Sequence, residues 1–156
     1  MTWIIGIDEA GYGPNLGPFV MTAVACRGPD RLADANLWRL LGGAVRRGEE
    51  KKDERLLVDD SKVVYSAARG LLGLELGVHA ALWRGCDGAT ADLAAFIDWA
   101  CPEVRADLCL EAWYQGSSVL PLHVQPADLT AHRERFEQAC AGVGIACWLA
   151  HGVVLC

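Results

Sequence analysis

Three observations predict a domain of the α/β or α+β class. Two apolar runs, at residues 3–7 and 19–26, flank a turn rich in glycine and proline and read as paired strands. Between about residues 31 and 141, leucines and alanines recur at helical intervals, punctuated by glycine and proline. Near the C-terminus the pattern returns to short apolar runs, at 145–150 and 153–156, which suit strands. The chain has 156 residues, enough to bury one sizeable core.

The elements follow in order. The short separation of the first two strands favours an antiparallel hairpin. Leu32, Leu37, Leu40, Leu41 and Val45 predict a helix over 31–47, followed by a charged connector over 49–55. Leu56, Leu57 and Val58 deliver the chain to Asp59-Asp60-Ser61-Lys62. Ser66 is suited to cap a helix reaching about Trp83, although Gly70, Gly73 and Gly77 each weaken it by roughly 1 kcal/mol relative to alanine. Such glycines suggest close packing on a neighbour. A capped helix is expected over 90–101, ended by Pro102, then a strand over 119–124 and a helix over 128–141. The chain stops within an apolar run, which suggests a fragment of a larger domain.

Composition narrows the function classes. Hydrophobic residues make up 53% and charged ones 22%, a globular profile. No basic segment followed by a long apolar run opens the chain, and no apolar stretch reaches membrane-spanning length. A cytoplasmic protein with no membrane partner is the expectation. The seven cysteines include no C-x-x-C pair and the four histidines are scattered, so no zinc site is expected. The net charge of −6 argues against non-specific binding to a polyanion. Arg46, Arg47, Lys51 and Lys52 alternate with acids and read as a solvated loop.

The densest chemistry lies at the N-terminus. Asp8 and Glu9 end the first apolar run, and five glycines and prolines follow between Gly11 and Pro18. Oxygen ligands at the mouth of a tight turn suit a hard divalent cation such as magnesium. Neighbouring strand residues face opposite ways, so the two acids converge only if the strand ends at Asp8 and the turn swings Glu9 back. A two-ion site for phosphodiester hydrolysis needs further carboxylates from elsewhere.

The run Gly6-Ile7-Asp8-Glu9-Ala10-Gly11-Tyr12-Gly13-Pro14, then Leu16-Gly17-Pro18 and an apolar strand, resembles the opening of the type 2 ribonuclease H family (ribonuclease HII). Asp60-Ser61-Lys62 with Ser66 matches a second family element, in the right order. The resemblance implies a ribonuclease H-like mixed sheet with flanking helices, covering about the first half of a family member, with an inserted helix and loop at about 27–58. It implies Mg2+- or Mn2+-dependent cleavage of an RNA–DNA hybrid or of ribonucleotide-containing duplex DNA. By that resemblance Asp8 and Glu9 are metal-binding carboxylates. Gly11, Tyr12 and Gly13 form the loop that approaches the ribose 2′-hydroxyl, and Ser61 and Lys62 lie near the substrate backbone. Tyr12 stands where the family has arginine, which bears on recognition more than on metal binding. Asp87-Gly88 follows a helix without a preceding strand and reads as a turn, and nothing distinguishes Asp98, Asp107 or Asp128 as further ligands.

Two other classes compete. Actin-like kinases and ATPases also open on an apolar strand, an aspartate and a glycine turn, but Glu9 and the prolines at 14 and 18 depart from that pattern, and no G-x-x-x-x-G-K-[ST] loop follows. A catalytically incomplete or non-catalytic module that keeps the fold and binds nucleic acid is the nearer alternative.

Overall fold

The computed structural model describes residues 1–10, 19–48, 53–65, 67–68, 70–82, 92–108, 110 and 119–155. It is a mixed α/β fold. Strand β1 (Thr2–Ala10) pairs antiparallel with β2 (Phe19–Gly28), in a register that sets Asp8 opposite Thr22 and Glu9 opposite Met21. Strand β5 (Cys147–Leu155) pairs with the other edge of β2, so the order is β1-β2-β5. Residues 147–150 and 153–155 of the two apolar runs thus belong to one strand, with Ile145 and Ala146 preceding it and Cys156 outside the described residues. Gly152 lies between the two runs, aligned with Thr22 and tucked against Cys101 Sγ, and carries the strand through.

The segment predicted as one helix over 31–47 is broken. A 3-10 turn (Asp30–Leu32) and a one-turn helix α1 (Leu37–Leu40) are separated by Asn36, whose side chain accepts the Arg39 N–H and starts the helix afresh. Val45 and Arg46 then form a two-residue strand β3, paired in parallel with β4 (Leu56–Leu57). The leucines counted as one stripe are still used: Leu32 and Leu41 are both buried, each from its own turn.

Asp60 caps the short helix α2 (Ser61–Val64) by accepting the Lys62 N–H. The helix expected from Ser66 starts later, as α3 (Leu72–Leu82), because Gly70 takes a left-handed φ of 56° that no continuing helix accommodates. Ser66 and Trp83 lie outside the described residues. Gly73 does pack closely, since a Cβ there would meet Val64, whereas Gly70 and Gly77 have open space around them. Helix α4 (Leu93–Ala100) is capped by Asp92, followed by a 3-10 turn (Pro102–Val104) and α5 (Arg105–Leu108). The strand expected over 119–124 reduces to an isolated bridge between Asp92 and Val119. Further along that segment, the Glu75 carboxylate accepts the N–H groups of Leu122, His123 (2.6 Å) and Val124 (3.2 Å). Helix α6 (Pro126–Val143) is longer than expected and closes on Gly144 at φ 84°.

The core lies on one face of the sheet. Cys26 is buried there, with Ile4 and Trp148 packed beside it; the cluster continues through Leu32, Leu56, Ala80, Leu129, Phe136, Cys140 and Ile145. Trp148 tilts against Phe136 and donates its indole N–H to Cys140 Sγ at 3.3 Å. No helix among the described residues is long and apolar enough to cross a membrane.

Candidate functional site

Asp8 sits near the end of β1, two residues before its last residue, Ala10. Strand pairing persists past Asp8, through Glu9↔Met21 and Ala10↔Val20. The strand therefore does not end at Asp8, and the two carboxylates stay on opposite faces. Asp8 shares the core-side face with Thr22 and Gly152, its neighbours across the sheet. Glu9 lies on the outer face with Met21 and Val153. The condition set for convergence is not met. The reason is local: nine consecutive pairings, Thr2↔Gly28 to Ala10↔Val20, hold the backbone extended.

Asp8 is exposed, and its Oδ1 accepts the Glu9 N–H at 3.0 Å. That bond uses one of the carboxylate's lone pairs and leaves the rest open to solvent. Such a group suits one hard cation that keeps most of its water. It does not by itself make a two-ion cradle. Among the described residues, no group of three or more His, Cys, Asp or Glu side chains is arranged to hold a metal ion.

The second predicted element has a well-defined local geometry. Asp59 accepts the N–H of Asp60 at 2.9 Å and of Gly48 at 3.0 Å, and pairs with Arg47 at 3.3 Å. These backbone donors and the guanidinium hold its carboxyl below the usual carboxylate range. Asp60 caps the turn behind it, which leaves Ser61 and Lys62 exposed in the first turn of α2. Gly11, Tyr12 and Gly13 lie outside the described residues, as does Asp87-Gly88.

No family model matches the chain, and neither a curated protein nor a solved structure is significantly similar to it.

Among the described residues, none of the other acids considered is gathered into a ligand set, and Asp107 lies in the first turn of α5. Asp98 on α4 pairs with Arg105 at 3.3 Å, and Asp128 lies in the first turn of α6. Of the basic run, Arg46 and Arg47 are held by specific contacts rather than simply solvated. Arg46 donates to the Gly48 carbonyl at 2.6 Å, and Arg47 lies over the Trp38 ring, 4.5 Å from its centroid. Lys51 and Lys52 lie outside the described residues. Sequence reasoning missed Thr22, in the Asp8 row, and Cys101, which packs against Gly152 at the far end of that row. Burial pushes the Cys101 thiol above its usual range, partly offset by the Gly152 N–H, so it is no ready nucleophile. Alternation along β2 could have found Thr22 only with the hairpin register in hand.

Proposed function

We propose that the chain is a metal-dependent nuclease domain of the ribonuclease HII type, acting on RNA–DNA hybrids or on ribonucleotides embedded in DNA. One observation carries the reading: an exposed aspartate at the end of a β-hairpin where its two strands are joined, directly before the glycine-rich run that resembles the family's opening. Asp60-Ser61-Lys62 at a helix entry supports it.

In this reading Asp8 is the principal ligand of Mg2+ or Mn2+, and Glu9 assists only when the backbone at Ala10 turns on loading. A bound ion would polarise a phosphate oxygen and acidify a water molecule. Asp8 would hold such an ion through the carboxylate oxygen not engaged by the Glu9 N–H. The Lys62 ammonium offsets phosphate charge, and the Ser61 hydroxyl donates to a phosphate oxygen. By the resemblance, Gly11, Tyr12 and Gly13 would meet the ribose 2′-hydroxyl.

The test is cleavage of a duplex carrying a single ribonucleotide, with Mg2+ or Mn2+. Asp8→Asn should remove cleavage by a factor of about 100 or more, because it takes away the ion's main anchor. Glu9→Gln should cost less. Cleavage that survives Asp8→Asn unchanged ends the assignment. The second reading, a non-catalytic nucleic-acid-binding module, is favoured by the opposite facing of Asp8 and Glu9. Binding to the hybrid without metal-dependent cleavage would select it.

A further inference from the structure

Both faces of the sheet are largely apolar, and among the described residues helices pack on only one of them. On the outer face stand Trp3, Ile5 and Ile7 from β1 and Leu149, His151 and Val153 from β5, with Met21, Ala23 and Ala25 between them on β2; His151 is the one polar side chain amid this row, and its Nε2 lies 3.8 Å from Glu103. Ile5 is 62% exposed and Ile7 67%. Alternating strand residues usually put polar groups on a solvated face. Here the alternation is apolar on apolar, which calls for a cover.

The charges at the two ends of this face identify one. Arg27, paired with Trp3, lies over the indole ring with its guanidinium carbon 5.9 Å from the centroid. A cation thus sits at one end of the β1 row. Glu9, at the other end of the same row, is an exposed anion. Neither side chain is in an ion pair among the described residues.

We propose that the outer face is a self-complementary interface that packs on a second copy of the chain. A two-fold axis in the plane between the sheets, perpendicular to the strands, lays each β1 antiparallel over its counterpart. Glu9 then stands over the Trp3 end of the partner's β1, within reach of the partner's Arg27 across a sheet spacing of about 10 Å. The symmetry makes two such pairs. Ile5 meets the partner's Ile7, with room supplied by Ala23 and Ala25. The other face-to-face axis, along the strands, would stack Arg27 on the partner's Arg27 and is disfavoured.

Three strands about 4.8 Å apart and nine residues long at about 3.3 Å each give a footprint of roughly 400 Å2 per copy. That is below a stable interface of about 800 Å2 per partner, so the dimer is weak and reversible.

Sedimentation velocity on the whole chain, from about 10 µM to about 1 mM, should show a monomer–dimer equilibrium. Arg27→Glu and Glu9→Arg should each weaken it by roughly tenfold, and the two together should restore it. Ile7→Lys should abolish it with the far-UV circular dichroism unchanged. A wild-type chain that stays monomeric throughout overturns the proposal. So does a dimer indifferent to Ile7→Lys in a folded variant, or a charge swap that fails to recover. Should Ile7→Lys fail to fold, the two exposed charge positions carry the test. The proposal does not rest on the nuclease reading: cleavage is assayed with Asp8, which lies on the opposite face.

Discussion

His79 is 3% exposed, and its Nδ1 has no hydrogen-bond partner among the described residues. It stands one helical turn after Glu75 on α3, and its ring lies 6.3 Å from that of Phe96 on α4. Burial lowers its pKa; Glu75 opposes the shift and Arg133 adds to it. The sign of the consequence follows from linkage. As pH falls, the unfolded chain takes up the proton first, near pH 6.5, while the folded imidazole stays neutral. The stability associated with His79 is therefore complete above about pH 6.5, declines as pH falls toward the lowered value, and levels off below it. The urea midpoint should drop between about pH 7 and about pH 5, and His79→Leu should flatten that drop. A wild-type slope retained in a folded His79→Leu would assign it to other groups. The sequence made His79 one of four scattered histidines; only the packing of α3, α4 and α6 distinguishes it.

Elements were legible where one rule decided them and illegible where two competed. The first two strands follow from apolar runs around a turn, and the hairpin register then sets every facing. The stripe at 31–47 has helical spacing, but Asn36 competes for the backbone and restarts the chain, so tertiary burial of Leu32 and Leu41 uses separate turns. The same competition governs the site. Asp8 and Glu9 were legible as a strand-end pair, whereas their facing depended on how far pairing ran, which the spacing of residues alone does not encode. The C-terminus of α6 is the clearest single-residue device among the elements. Gly144 at φ 84° lets Ile145 N–H reach the Cys140 carbonyl at 2.9 Å and its own N–H reach Ala141 at 3.1 Å. A Cβ there would also lie 3.3 Å from Pro29 Cδ. Gly144→Ala should therefore destabilise by about 1–2 kcal/mol, read as a lower urea midpoint at unchanged m-value. Gly142, inside the same helix and with open space around it, should tolerate alanine and gain stability.

For the whole molecule, charge and cation binding can be separated. At a net charge of −6, any divalent cation relieves some self-repulsion, so stabilisation by magnesium alone does not identify a site. A specific ion at Asp8 adds a linkage term on top of that background. For a dissociation constant of about 1 mM, about 10 mM Mg2+ contributes about 1.4 kcal/mol. In a chain of this size that corresponds to a rise of roughly 3–6 °C in the thermal midpoint. The comparison that decides is between wild type and Asp8→Asn in Mg2+, each referred to sodium chloride of equal ionic strength. The specific part should vanish in Asp8→Asn and persist largely in Glu9→Gln, because Asp8 and Glu9 face opposite sides of β1 and only Asp8 is open on the core-side row. Equal shifts in wild type and Asp8→Asn would make the ion's effect general screening. A loss equally large in both variants would mean that the end of β1 turns on loading to bring Glu9 onto the same ion, despite its extended pairing with β2.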